Sequence, residues 1–515
     1  MKNKTNEKVG VFSYMEKLFF LPVDERFCTK DYFIMLSTSA SLKIMTPDKF
    51  GMKKIPADVD EIHRWLLSNT QSRDVLIASA EMLIHGGLIP SRIDLLTEKT
   101  IEKRLSTLKQ IKEKGVIVYL SVTVTRIPNY NSADEEPEYW EYYGKDISEW
   151  SKKYSAIISK TYEEEDIQKE NLPTNIPKWI IEDFLNRRKR NFKTVQKCIE
   201  LTKAGVIDYL SITLDDNAPD SLSFHEAQEH QKLVDKLELN DRVSIRNGAD
   251  EAMITTLGRF LCDYFERKPK FYTIYRFPES KRLIPPYESS ALEDSVNNHI
   301  RAVGGIVSEH IEQSDIILFV NNFNGSEKTL ESPYQNVNES EIQTIKNELE
   351  KILDYAKTHN KILSIADIRY ANGSDICLMK ALLSMQIDWT KVNYYGWNTA
   401  GNSIGTCTGH SIIQYLAQNN FITLERDEIE RYQATLILEH YGYQAIVRQK
   451  LREAGKDKCN ILWTTIPCED WAISYAKANL HDYLQEINTH FRRNWKLEAY
   501  FPWHRTFEIG IVLSE

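Results

Sequence analysis

No stretch of the 515-residue chain reaches the roughly 18 apolar residues needed to cross a bilayer. A membrane partner is therefore not expected. The apolar segment Leu18 to Val23 is interrupted by Pro22 and runs into Asp24-Glu25-Arg26, too short for a secretion-signal core, so a cytoplasmic protein is the expectation. The seven cysteines are widely spaced and contain no CxxC pair, which predicts reduced thiols. No basic face or tail exists: 65 Lys and Arg stand against 74 Asp and Glu, a formal charge of -9, so nucleic acid is excluded as a partner. The longest basic run, Arg187-Arg188-Lys189-Arg190, falls in a helical pattern opened by Glu182 and Asp183 and reads as a solvated helix face. A glycine-rich phosphate loop ending in Lys-Ser/Thr is missing, and Gly304-Gly305 lacks the rest of a dinucleotide pattern, so neither ATP nor NAD is indicated. HExxH and paired histidines at ligand spacing are missing as well.

What is present is an ordinary globular composition, 42% hydrophobic, 11% aromatic and 27% charged, which excludes a disordered, collagenous or coiled-coil chain. Its length calls for about two to four domains. Short runs of Val, Ile, Leu and aromatics alternate with helical patterns, the signature of a mostly parallel α/β architecture. Strands fit Leu18 to Val23, Leu42 to Met45, Val75 to Ser79, Val116 to Thr125, Tyr209 to Thr213 and Val243 to Arg246. The second half repeats this plan: a strand, a short strand, then an apolar strand led by Asp315, as Asp74 leads in the first half. The pattern predicts two doubly wound domains facing a cleft, 1–268 and 269–421, followed by a mainly helical region 422–515. An acidic, aromatic, lid-like insertion is expected at 129–177. The competing arrangement closes the first eight strands into a (β/α)8-like barrel before a smaller α/β domain.

In open α/β sheets ligands bind beyond the carboxyl ends of the strands, so the residues following each apolar run carry the functional information. Here they are Asp24-Glu25-Arg26, then Glu81, His85 and Arg92, then Arg126, Tyr130 and Glu135-Glu136, then Asp215-Asp216, then Asn247 to Glu251 with Asp250. The second half adds Asn321-Asn322, Asp367, Arg369, Asn372 and Asp375, and finally Trp397, Asn398 and Asn402. Turns and helix caps account for single Asp, Asn, Ser and Gly residues, but not for Arg, Glu and Trp at the same strand ends. Gly401-Asn402-Ser403-Ile404-Gly405 has nucleophile-elbow spacing, yet Trp397 to Ala400 separate it from the strand, and it reads as a turn. Cys28 reads as a buried structural thiol and His410 as a polar residue of a helix.

The ordered set Leu21-Pro22-Val23-Asp24-Glu25-Arg26, Glu81-Met82-Leu83 with Gly86-Gly87-Leu88, Arg126-Ile127-Pro128 with Glu135-Glu136-Pro137, Asp215-Asp216, Gly248-Ala249-Asp250-Glu251, Gly396 to Asn402 and Pro502-Trp503 with Arg505-Thr506-Phe507-Glu508 resembles a bacterial family catalogued as a domain of unknown function. The resemblance covers nearly the whole chain and implies no activity. In the family pattern an Asp stands at Glu81 and a Tyr at His85, which speaks against His85 as a unique base or ligand and for a carboxylate at position 81.

Three functions fit these residues. Hydrolysis of a carbohydrate or another polyhydroxylated compound needs two carboxyls about one bond, one protonated and one ionised. Asp24, Glu25, Glu81, Asp215, Asp216, Asp250 and Glu251 are the candidate acids. Arg26, Arg92, Arg126, Tyr130, Asn247, Asp367, Asn372, Trp397, Asn398 and Asn402 are the candidate substrate contacts, with Trp397, Tyr130 and Trp140 available to stack on a sugar. A metal-dependent hydrolase or isomerase is the second reading, with adjacent acids and His85 or His410 around a divalent ion. A non-catalytic sugar-binding module that closes on its ligand is the third.

Overall fold

The computed structural model describes residues 17–158, 175–325, 337–461 and 465–515. Six parallel strands, β1 (Leu18–Leu21), β2 (Ile44–Met45), β3 (Val75–Ser79), β4 (Ile117–Val124), β5 (Tyr209–Leu214) and β6 (Val243–Asn247), form an open sheet in the order β2-β1-β3-β4-β5-β6. A second parallel sheet holds β7 (Lys270–Tyr275), β8 (Ile306–Val307), β9 (Ile316–Asn321), β10 (Ile362–Asp367) and β11 (Val392–Tyr395) in the order β11-β10-β9-β7-β8. Both sheets are wound alike: the second strand is short and lies outside the first, the third lies on its other side, and the rest continue away. The strand order reverses beside β1 and β7, where a doubly wound sheet opens its crevice. The alternative barrel does not form, because β2 and β6 are opposite edges of an open sheet and β2 pairs only with β1.

These strands are nearly unbroken apolar runs because helices cover both faces. Alternation sends Leu18 and Phe20 of β1 into one apolar cluster and Phe19 and Leu21 into another. The first cluster also contains Phe271, Ile316 and Leu363 of the second sheet, so one core joins the two sheets. Between them cross helices α1 (Ala252–Tyr264), α2 (Leu292–Ala302) and α3 (Ala400–Gln418). A Cβ on Gly409 of α3 would stand 2.7 Å from the main-chain oxygen of Ile254, so glycine is what lets α3 lie against α1. The C-terminal region is helical, as expected, with helices at Arg426–Ile437, Arg448–Cys459 and Glu469–Phe491. It also carries an antiparallel pair, β12 (Lys496–Tyr500) and β13 (Gly510–Ser514), whose connection holds Trp503 and Arg505. Among the described residues no helix is long and apolar enough to cross a membrane.

Three local expectations are corrected. Cys459 and Cys468 are joined in a disulfide, while Cys28, Cys198, Cys262, Cys377 and Cys407 are buried thiols. The basic run is no solvated face: Arg188 and Arg190 are buried, Arg188 on Glu226 and the Thr125 carbonyl, Arg190 on Asp94 and the Ser91 carbonyl. Gly401 to Gly405, expected as a turn, belong to helix α3, and the Ser403 hydroxyl donates to the Trp397 carbonyl. Within 129–177 a helix spans Trp140–Ile158, and Trp140 and Trp150 form a small core with Ile180 and Phe184; Tyr162 to Asp166 lie outside the described residues.

Candidate functional site

Parallel polarity puts the carboxyl ends of β1, β3, β4, β5 and β6 on one edge of the first sheet. At β1 the Asp24 carboxylate receives Arg26 Nε at 3.0 Å and its terminal nitrogen at 2.8 Å, together with the Thr29 hydroxyl at 2.6 Å. The same guanidinium crosses to Asp250 beyond β6, 2.7 Å from Oδ1, and Asn398 beyond β11 donates to Asp250 Oδ2 at 3.0 Å. The second sheet thus contributes one residue to this edge.

Beyond β3, Arg92 donates to Asp215 Oδ2 at 2.5 Å and reaches Glu136 at 3.3 Å. Beyond β4, Arg126 donates to Glu135 at 2.9 Å, Glu136 at 3.1 Å, Asp216 at 3.2 Å and the Tyr130 hydroxyl at 2.9 Å. Arg126 therefore pairs with strand-end acids, as its position at the end of a long apolar strand predicts. From the far end of the chain Arg505 donates to Glu135 and, at 2.8 Å, to Glu508. Trp503 packs under two guanidiniums, Arg26 at 4.6 Å and Arg505 at 4.5 Å, and its indole N–H donates to Glu25 Oε1 at 2.5 Å.

The carboxyls do not share one electrostatic fate. Burial would raise Glu135, but Arg505, Arg126, Arg92 and Arg26 outweigh it and hold that carboxyl below the ordinary range. Burial raises Asp250 to about 6, opposed by Arg26 and assisted by the charges of Asp24 and Asp215. Burial and the neighbouring Asp215 raise Asp216, and burial and the neighbouring Asp24 raise Glu25. Arg26 and Arg92 are turned inward, whereas Asp216 and Tyr130 are 39% and 41% exposed at the rim.

Several proposed residues stand elsewhere. Glu81 is buried and its oxygens are engaged by the Thr123 main-chain N–H at 2.7 Å and the Ser79 hydroxyl at 2.6 Å. It caps structure rather than facing the acids. His85 is held by Asp94 at 2.6 Å, and burial lowers its pKa. Glu251 is buried on Arg246, and Asn247 on Glu288 and Ser290. Asn402 accepts from the Ala249 main-chain N–H at 3.3 Å. Asp367 belongs to the second sheet's own polar group, accepting from Asn321 at 2.9 Å and Tyr394 at 3.0 Å, and burial beside Asp375 raises it to about 7. Asn372 joins the β11 loop through its main chain, its N–H donating to the Asn398 carbonyl at 3.1 Å. Trp397 is 1% exposed, enclosed by His440 and Phe507, and Trp140 is buried in the insertion; neither offers a face to a sugar.

Among the described residues no group of three or more His, Cys, Asp or Glu side chains is placed to hold a metal ion. A cavity of about 1010 Å³ lies away from the acids, lined by Lys346, Lys351, Lys361 and Asp388 among others. Sequence reasoning passed over Arg505, Glu508 and Trp503 as site residues although they stand in its ordered motif set. Glu288, in a loop before α2, gave no signal.

Residues 18–512 match the family described as "Protein of unknown function (DUF4127)", and the chain belongs to that family. No curated protein matches it. Among solved structures it is similar to ZgEngAGH5_4 in complex with a cellotriose, at 10% identity and a TM-score of 0.18 over 79% of this chain and 98% of that one. It is also similar to Fpglu1 from Fervidobacterium pennivoraus, at 9% identity and a TM-score of 0.20 over 79% and 95%. Likenesses of this size carry no argument about activity.

Proposed function

We propose, for a member of a family to which no activity is attached, a hydrolase that cleaves a carbohydrate or another polyhydroxylated small substrate with Asp250 as proton donor and Asp215 as its partner carboxyl. The observation that carries this reading is a pair of carboxyls from neighbouring strand ends, each met by its own arginine, of which burial raises Asp250. Burial raises Asp250 to about 6 against the pull of Arg26 at 2.7 Å, so it holds a proton at mildly acid pH, while Asp215 is met by the Arg92 guanidinium at 2.5 Å. Acid/base cleavage of an acetal requires a carboxyl that holds a proton beside a second carboxyl. Tyr130 and Asp216 at the rim supply an aromatic face and a hydroxyl acceptor. Arg126 orients both through its bonds to them.

The test is turnover of a panel of aryl glycosides, with and without chelator, by the wild-type chain, Asp250→Asn and Asp215→Asn. Turnover indifferent to chelator and lost in both variants supports the proposal. Loss on chelation transfers it to metal-dependent hydrolysis. Sugar binding without turnover in all three proteins leaves a binding module.

A further inference from the structure

The loop 287–290 before α2 touches the three chain segments that carry the proposed acids and the residue holding one of them. The Tyr287 carbonyl accepts from the main-chain N–H of Asn217, next to Asp216, at 3.0 Å. Glu288 divides its carboxyl: Oε2 accepts from Asn247 Nδ2 at 3.1 Å, and Oε1 accepts from the main-chain N–H of Gly401. Asn247 Nδ2 also donates to the Ser290 hydroxyl at 2.8 Å, and its Oδ1 receives Ser289 Oγ at 3.1 Å and Asn217 Nδ2 at 3.3 Å. Asn247 ends β6 three residues before Asp250, and Gly401 opens α3 three residues after Asn398, which donates to Asp250. A Cβ on Gly401 would stand 3.1 Å from Glu288 Oε1 and 3.2 Å from the main chain of Asn247 and Gly248, so the approach is built around glycine.

We infer that Glu288 is a positioning residue: its two oxygens tie the loop after β6 to the start of α3 and thereby fix Asp250 against Asn398, Arg26 and Asp215. This rests on the acid/base reading of Asp250. An ionised Glu288 accepts both N–H groups. A protonated one, with the Ser295 hydroxyl at hand to accept its O–H, receives both N–H groups less strongly. Burial holds Glu288 up at about 7, with the Glu251 charge adding to it; Glu251 is itself held by Arg246 and stands 3.7 Å from His299 Nε2. The clamp therefore tightens as pH rises through neutrality.

Glu288→Gln mimics the slack form, because its amide places N–H against a donor. The readout is the carboxyl NMR titration of Asp250 in the full chain labelled at Asp carboxyl carbons, the signal being assigned by its loss in Asp250→Asn. The Asp250 midpoint is expected to move by about half a unit or more in Glu288→Gln. Where a glycoside is turned over, kcat is expected to fall about tenfold with KM little changed. An unmoved midpoint in folded Glu288→Gln overturns the inference whether or not any glycoside is turned over. A moved midpoint without turnover in the wild type supports the clamp and fails the hydrolase reading separately. Should Glu288→Gln not fold, Gly401→Ala, whose Cβ would stand 3.1 Å from Glu288 Oε1 and crowd the same clamp without touching a charge, is read the same way: a moved midpoint supports the clamp and an unmoved one overturns it.

Discussion

Arg505 closes the acidic edge of the first sheet from the far end of the chain. It joins Glu135 to Glu508 and lies over the same Trp503 indole as Arg26, so removing it takes the arginine from buried Glu508 while Glu135 keeps Arg126. Arg505→Met is expected to cost about 3–5 kcal/mol, read as a lower denaturation midpoint in urea, because a buried charge without its partner costs more than the pair contributes. Asp250 gives a prediction of a different kind. Its carboxyl is raised to about 6, so as proton donor it is competent below that pH and loses its proton above it. Turnover of an aryl glycoside is expected to decline as pH rises through about 6. Asp250→Asn is expected to lower kcat about 10²- to 10⁴-fold and to abolish that limb. A declining limb that survives in the variant would assign the titration to another group.

Strand β11 is the edge of the second sheet, yet it is not an open edge. The Gln433 side chain accepts from the Tyr394 main-chain N–H at 3.1 Å and donates to the Tyr394 carbonyl at 2.9 Å, taking the place of a further strand. Gln433→Leu leaves both groups buried and unpaired. It is expected to cost about 2–4 kcal/mol, with the urea m-value unchanged. Gln433 also marks where sequence reading stops. The strands were legible because helix-covered strands are continuous apolar runs, and the two-sheet repeat because Asp74 and Asp315 each lead one. The Lys496–Tyr500 strand was not, since its exposed alternation sits beside a long helix and its partner is the chain's last strand. For the run at Arg187 the helix was legible but its face was not: the carbonyls of Thr125 and Ser91 that hold Arg188 and Arg190 come from distant loops. Of the acids, Asp24, Asp215 and Asp250 follow from strand polarity. Glu81 does not, because the short helix Ala80–His85 begins immediately after β3 and turns its carboxyl back onto β4.

At the scale of the molecule, each sheet gathers polar residues at its carboxyl edge, and burial there leaves acids that take up protons more readily in the folded chain than in the unfolded one. Asp250 is raised to about 6, Glu288 to about 7 and Asp367 to about 7, burial being the largest cause in each. The sign follows from linkage: between the unfolded value near 4 and these folded values the native state holds more protons, so its stability falls as pH rises. Glu135 works oppositely, since its arginines depress it and its contribution is lost only as pH falls below the ordinary carboxylate range. Buried His85, His230, His410 and His440, whose pKa burial lowers, act the other way and favour the native state as pH rises toward the unfolded histidine value, so the carboxyls are read by difference: scanning calorimetry from pH 5 to 7.5 at constant ionic strength, wild type against variant. Asp367→Asn lies apart from the acid–arginine edge, and its melting temperature relative to wild type is expected to rise between pH 5 and 7.5, whatever its absolute value. An Asp250→Asn melting temperature that stays at a constant offset from wild type over this range would mean that Asp250 is ionised in the folded chain at its ordinary value. Asp250 would then hold no proton to donate at mildly acid pH, so the same scan bears on the acid/base proposal without any substrate.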